Sequence, residues 1–358
     1  MIDIVIIPLL KIAVVLNGVL VLVTVMPLLE RKVQGWVQSR LGPMRVGPWG
    51  LLQAIVDPIK LMMKEDITPT KADKWLFTLA PIMAMVPALA VFSVIPFGGD
   101  ALFYITDINV GLLFIISVTS IGVYGIILAG WASNSKYPLL ASLRAAAQLI
   151  SYEIAVTMTL VSVILTAGTL SMVGIVEAQL ETGFWFGFVQ PVAFVLVFIG
   201  GLAETNRVPF DLPEAEAEIV AGYNVEYSSM TFALFFLGEY ANMILMAAMT
   251  TVLFLGGWEG AILPSHVWFL LKVMAFAFMA SWVRATVPRL RLDQILGFAW
   301  KFLFPLSLFN VILLAAEVIV WPEPSAGDLL LMAVINWIGA MAAIAVMARI
   351  VSLSSKPV

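Results

Sequence analysis

Long apolar runs separated by short polar segments make up most of the chain. A helix needs about 20 consecutive apolar residues to cross a bilayer, so runs of that length predict membrane spans. Nine runs are candidates, of which the fifth is short and leads into a polar segment: 4–29, 75–96, 108–131, 146–170, 187–203, 229–255, 264–283, 302–321 and 328–349. The pattern predicts an all-α, polytopic transmembrane bundle of about nine spans. It also predicts short amphipathic surface helices in the first inner loop and in the third, which is the acidic loop after the fifth run.

The composition agrees with this prediction. The chain has 358 residues, of which 62% are hydrophobic and 12% charged, and its mean hydropathy is +1.03. A water-soluble protein of this length needs a polar exterior that this chain lacks, so we expect lipid to surround one integral membrane domain, residues 1–358. Its polar segments are a first inner loop, an acidic inner loop and a basic inner loop, at 30–74, 204–228 and 284–301.

The distribution of Lys and Arg predicts an orientation. Of 19 such residues, 17 follow the odd-numbered runs, and the other two, Lys11 and Lys272, lie within runs. Inner loops are enriched in Lys and Arg, so the N-terminus is expected outside and the C-terminus in the cytoplasm.

The residue types exclude several kinds of redox centre. The chain has no Cys, and its only His is His266. It therefore cannot ligate an iron–sulfur cluster through thiolates or hold a haem between two His side chains. We expect no covalently bound or metal-ligated cofactor and no nucleic-acid partner. Any redox chemistry must use a dissociable substrate or a neighbouring subunit.

The first inner loop contains a segment with helical amphipathicity. Its polar residues, among them Asp57 and Lys60, recur at helical spacing, with apolar residues on the other face. We expect a surface helix with Asp57 as N-cap and Pro58 at its first position. This helix is either an interfacial anchor or part of a site for an amphiphile, in which Arg40 holds a polar head and Asp57 exchanges a proton.

The acidic inner loop concentrates carboxylates that would repel one another. Asp211 and Glu214 fit an N-cap and an acid three residues later, and Glu214 and Glu218 would share one helix face. If the segment is partly buried, shared protons replace full ionisation, as in a proton-holding cluster. The alternative is a solvated charged helix.

Two carboxyl residues, Glu153 and Glu239, fall inside predicted spans. An ionised group there costs roughly 2.5–3.5 kcal/mol, so these positions need a specific reason. They are either protonated for structural hydrogen bonding or steps on a proton path, with Lys272 as a candidate cationic partner. Glu317 lies near a span end, where snorkelling to the interface explains it.

Four separate strings carry a resemblance to a known family. They resemble the H subunit of bacterial respiratory complex I, NADH:quinone oxidoreductase, and they read ERKVQGWVQSRLGPMRVGPWGLLQ (30–53), LRAAAQLISYEI (143–154), GLAETNRVPFDLPEAEAEIVAGYNVEY (201–227) and WVRATVPRLRLDQILGFAWKFLFP (282–305). A related subunit of membrane-bound hydrogenases and a stand-alone cation transporter are the alternatives.

The resemblance implies that the chain forms part of a quinone chamber and couples quinone reduction to proton movement. Quinone, with ubiquinone as the expected species, would be the substrate, and the partners would be peripheral-arm quinone-module subunits and small membrane-arm subunits in the bacterial inner membrane. The implied quinone-binding residues are Glu30, Arg31, Gln38, Arg40, Asp57, Lys60, Phe232 and Arg284. The implied proton-coupling residues are Glu153, Glu204, Asp211, Glu214, Glu216, Glu218, Glu226 and Glu239.

Overall fold

The computed structural model describes residues 6–100, 103–211, 222–322 and 326–354, and these residues form helices and connecting turns without strands. The helices are α1 (Ile7–Val37), α2 (Gln53–Met62), α3 (Lys74–Ala90), α4 (Gly111–Ala132), α5 (Lys136–Ala167), α6 (Met172–Thr182), α7 (Phe186–Val189), α8 (Pro191–Glu204), α9 (Ser229–Phe254), α10 (Ser265–Thr286), α11 (Leu292–Phe298), α12 (Phe304–Val320) and α13 (Ala326–Ser354). The all-helical membrane fold is thus confirmed.

Within the described residues, eight helical stretches are long and apolar enough to cross a membrane. They correspond to eight of the nine predicted spans. The fifth predicted span is instead divided at Gln190, whose backbone is not helical. Its main part, α8, has 14 residues, or roughly 21 Å at 1.5 Å per residue, which is shorter than the hydrocarbon core.

Small residues let the central helices pack closely. A Cβ atom added to Gly125 of α4 would lie 2.7 Å from the backbone nitrogen of Ala84 in α3, and one added to Gly238 of α9 would lie 3.2 Å from the Ala84 carbonyl oxygen. Lipid supplies no hydrophobic drive between helices, so such close backbone packing contributes much of their association. These contacts bring α9, which carries Glu239, into the middle of the bundle.

Two predicted boundaries are wrong. Helix α1 continues to Val37, so the first eight residues of the predicted first inner loop are helical and Glu30 lies on a spanning helix. Helix α2 begins at Gln53 and contains Pro58, so Asp57 is not its N-cap. The Asp57 carboxylate accepts hydrogen bonds from the side chains of Arg31 and Gln53, and not from backbone amides at the start of the helix.

The inner loops also contain short helical elements. The basic inner loop contains α11 and a π-helical turn at Ala299–Leu303, which the sequence patterns did not predict. The surface helix predicted for the acidic inner loop falls largely at 212–221, outside the described residues.

Candidate functional site

Glu30 is the centre of a buried charge network. This α1 carboxylate is only 3% exposed and accepts hydrogen bonds from Arg207, from Arg284 of α10 at 2.5 Å and from the Tyr240 hydroxyl of α9 at 2.7 Å. Charge-assisted bonds of this kind are the strongest in proteins. Three spanning helices and the segment after α8 therefore meet at one carboxylate.

Arg207 extends this network toward a second carboxylate. Its side chain is 1% exposed, and its second terminal nitrogen lies 3.5 Å from an oxygen of Glu239. Burial disfavours the charged guanidinium, but the charges of Glu30 and Glu239 outweigh burial and raise the pKa of Arg207. The guanidinium also lies over the Tyr240 ring at 4.3 Å, which adds a cation–π contact.

Gln148 of α5 holds the segment that carries Arg207. Its side-chain amide donates to the carbonyl oxygens of Ala203 at 3.0 Å and Phe210 at 2.7 Å. These two carbonyls flank Arg207 in the chain, and Gln148 is fully buried. The amide therefore fixes both ends of the turn and with them the position of the guanidinium.

Glu239 also lines a cavity of about 50 Å³. The carboxyl groups of Glu153, Glu204 and Glu239 line it together with polar side chains that include Asn206 and Asn242. At roughly 10–15 Å³ for each water, it has room for about three to five. The Glu153 carboxylate also accepts a hydrogen bond from Ser120. Three of the predicted proton-coupling residues thus share one polar cavity within the bundle.

The remaining predicted quinone-binding residues lie at the surface end of α1 and around α2. Arg31 pairs with Asp57 at 2.8 Å, and Arg40 donates to Gln38 at 2.6 Å. Lys60 is exposed. The Phe232 ring, at the start of α9, contacts the Phe236 ring at 4.8 Å between centroids.

Serine hydroxyls tie this surface region to α9. The Ser229 hydroxyl lies 3.0 Å from the Leu61 carbonyl oxygen and 2.7 Å from that of Lys64, at the end of α2. Both carbonyls are acceptors, so one rotating hydroxyl serves them. Helix α2 and the first turn of α9, which bears Phe232, therefore hold a defined relative position.

The described part of the acidic inner loop is held by the basic inner loop. Asp211 pairs with Arg289, and the Leu290 amide donates to the Pro209 carbonyl oxygen at 3.2 Å. Glu226 lies in the turn before α9 and is not among the residues that line the cavity. Glu214, Glu216 and Glu218 lie outside the described residues.

Some residues in the network were not among the predicted site residues. Arg207 and Tyr240 are central to it, and Gln148 positions it. Tyr240 follows Glu239 directly in the sequence, and Arg207 is the one basic residue of the acidic segment, so both carried a weak signal. The prediction that Lys272 pairs with a carboxylate inside the bundle is wrong, since its ammonium donates to the carbonyls of Leu255, Gly257 and Glu259.

The fold and site define a polytopic helical membrane protein in which a buried charge network adjoins an acidic internal cavity. A family model described as NADH dehydrogenase matches residues 10–315. The chain is 51% identical over 310 residues to an H subunit of NADH-quinone oxidoreductase from Geobacter sulfurreducens, covering 85% of this chain and 94% of that relative.

Further relatives agree. The chain is 53% identical over 294 residues to the H subunit of the same enzyme from Rickettsia typhi, covering 80% of this chain and 86% of the relative. It is 49% identical over 316 residues to the H subunit from Syntrophotalea carbinolica, covering 86% and 95%. The chain belongs to the NADH dehydrogenase family. The relatives named above are H subunits of NADH-quinone oxidoreductase, so the resemblance found in the sequence is confirmed.

Proposed function

We propose that this chain is the H subunit of a proton-pumping NADH:quinone oxidoreductase, in which it forms much of the quinone chamber and couples quinone reduction to proton movement. The names of the relatives support this assignment over a hydrogenase component or a stand-alone transporter. The other subunits of that complex are its partners, including those that bring electrons to the quinone. We place the complex in the bacterial inner membrane, with the N-terminus of this chain outside.

The surface end of α1 and α2 suits the entry of an amphiphile from the bilayer. Helix α2 exposes apolar side chains that include Ile55, Ile59 and Met62, while Asp57 of the same helix pairs with Arg31 of α1. A quinone has an apolar tail and a polar head, so it meets apolar surface first and charged groups deeper in. The buried Glu30 and the partly buried Arg284 are the charges at the end of this route.

A single observation supports coupling most directly: the Arg207 guanidinium contacts carboxylates of both predicted groups. It binds Glu30, on the quinone side, and lies 3.5 Å from Glu239, which lines the acidic cavity. A change of charge beside Glu30 therefore changes the electrostatic energy of Glu239. The three cavity carboxyls then supply groups on which a proton is taken up and passed on.

Photo-crosslinking tests the chamber. The assembled complex in native membranes is labelled with an azido-quinone, with and without excess unmodified quinone, and peptides are mapped by mass spectrometry. We expect competed label within 30–64 and near Phe232. Label found only on other subunits, or label here that excess quinone does not reduce, would refute a chamber in this chain.

Proton counting tests the coupling. The complex is reconstituted in proteoliposomes, and protons moved per NADH oxidised are measured for wild type, for Glu204→Gln and for Glu177→Gln. Glu204 lines the cavity, whereas Glu177 is exposed on α6. We expect a lower ratio for Glu204→Gln alone, and equal ratios in all three proteins would exclude a role of the cavity.

A further inference from the structure

The last two helices contain a buried carboxyl–amide pair that the proposed function does not use. Glu317 of α12 is 4% exposed and Asn336 of α13 is 1% exposed. The Asn336 side-chain nitrogen donates to the Oε2 atom of Glu317 at 3.0 Å. Neither residue lines the acidic cavity or contacts the Glu30 network. The expectation that Glu317 snorkels to the interface is therefore wrong.

The pair lies where α12 and α13 pack on each other. Gly339 of α13 faces α12, since a Cβ atom added to it would lie 3.4 Å from Leu313 and 3.7 Å from the Phe309 ring. Asn336 is three residues before Gly339 and Glu317 is four residues after Leu313, so each shares a helix face with one of these contacts. The polar groups are thus enclosed between helices and kept from lipid.

One oxygen atom of each residue in the pair lacks a hydrogen-bond partner. Glu317 Oε1 and Asn336 Oδ1 are both buried and have no hydrogen-bond partner. Both atoms are acceptors when the carboxyl is ionised, so they cannot satisfy each other. A proton on Oε1 turns that atom into a donor toward Oδ1, and this one proton satisfies both atoms.

We propose that Glu317 is a proton-binding site, protonated in the native protein and joined to Asn336 by two hydrogen bonds in a cyclic acid–amide pair. The amide donates to Oε2, and the carboxylic acid donates through Oε1 to Oδ1. Because both bonds cross from α12 to α13, the proton fixes the position of the last helix along its neighbour.

The surroundings favour the neutral acid over a carboxylate. Among the residues that the structure describes, no Lys or Arg side chain forms an ion pair or hydrogen bond with Glu317, and Asn336 is the one hydrogen-bond partner of its carboxyl group. Burying a carboxylate against one neutral donor is costly, and protonation removes that cost. Glu30 is the contrasting case, since two guanidinium groups and a hydroxyl hold it as an anion.

Infrared spectroscopy of the purified complex tests the proton directly. The C=O stretch of a protonated carboxylic acid is separated from that of a carboxylate, so wild type minus Glu317→Gln should give a positive protonated-acid band. Wild type minus Glu177→Gln is the matched control, since Glu177 is an exposed carboxylate, and should give none. The absence of the band in the first difference spectrum would overturn the proposal.

Stability provides the second readout. Glu317→Gln can form a cyclic amide–amide pair with Asn336, so we expect its thermal midpoint and assembly to equal those of wild type. Glu317→Leu and Asn336→Leu should lower the midpoint or prevent assembly. Equal losses in Glu317→Gln and Glu317→Leu would contradict the proposal. So would a midpoint that sodium chloride raises in wild type but not in Glu317→Gln, because that result indicates a bound cation instead of a proton.

Discussion

Replacing Arg207 by Gln should strongly destabilise the bundle, and the structure gives the size of the effect. In the native network Glu30 and Glu239 carry two negative charges, and Arg207 and Arg284 carry two positive ones. Arg207→Gln removes one cation from a site that is almost closed to solvent. Two carboxylates then remain against Arg284 alone.

The expected loss follows from what is left behind. Removing one partner of a buried ion pair typically costs about 3–5 kcal/mol, because it leaves an uncompensated buried charge. The matched control is Arg31→Gln. Arg31 also pairs with a carboxylate, that of Asp57, but its side chain is 51% exposed, and exposed pairs contribute about 0–1 kcal/mol.

Titration of the purified chain in mixed micelles with a denaturing detergent measures the free energy of unfolding of each variant. The double variant Arg207→Gln, Glu30→Gln restores the balance of one anion and one cation, so it should recover part of the loss. Non-additivity of this kind is the signature of residues in one network. A cost of Arg207→Gln no greater than that of Arg31→Gln would refute a stabilising role of the network. So would a double variant that is less stable than Arg207→Gln alone.

Three further outcomes are expected. Gln148→Leu leaves the Phe210 carbonyl without its side-chain donor and removes one of the donors to the Ala203 carbonyl. It should therefore cost about 1–3 kcal/mol in the same titration, whereas an unchanged value would mean that the turn does not depend on Gln148. Asp57→Asn should change stability by less than about 1 kcal/mol yet raise the apparent KM for quinone in steady-state assays, and an unchanged KM would remove Asp57 from the quinone route. Glu153→Gln should lower protons moved per NADH in proteoliposomes while assembly is retained, and an unchanged ratio would exclude Glu153 from the proton route.

The spanning helices were predictable because lipid imposes a simple requirement on sequence. Backbone groups must be satisfied within each span, so a span is a long apolar helix that a hydropathy pattern reveals. The same pattern could not find the division at Gln190, which depends on backbone geometry. Nor did it find the end of α1, because the helix continues into a charged segment that buries Glu30 instead of exposing it.

The charge network was less predictable because its members are far apart in the chain. Glu30 is 177 residues from Arg207 and 210 from Tyr240, and no local period encodes contacts of that range. Glu239 was found because an acid in an apolar run stands out, whereas Glu30 and Arg284 were predicted only from the resemblance to the H subunit. Arg207 and Tyr240 were missed because an Arg in a polar segment and a Tyr in a span are ordinary, and the same holds for Asn336, the partner of Glu317.

If the chain has the proposed function, the Arg207 guanidinium couples quinone binding to protonation of the cavity, so that each affects the free energy of the other. Two unit charges about 4 Å apart interact by about 4 kcal/mol at an effective dielectric constant of 20, so Arg207 is a large term in the energy of both Glu30 and Glu239. A negative charge arriving on the quinone beside Arg284 and Glu30 competes for Arg207 and weakens its hold on Glu239, which then takes up a proton from the cavity more readily. By linkage, protonating Glu239 frees Arg207 and must strengthen the binding of that negative charge by the same factor. Coupling therefore requires no movement of the helices, only that Arg207 stays in contact with both carboxylates, and the bonds from Gln148 to the ends of its turn provide that condition.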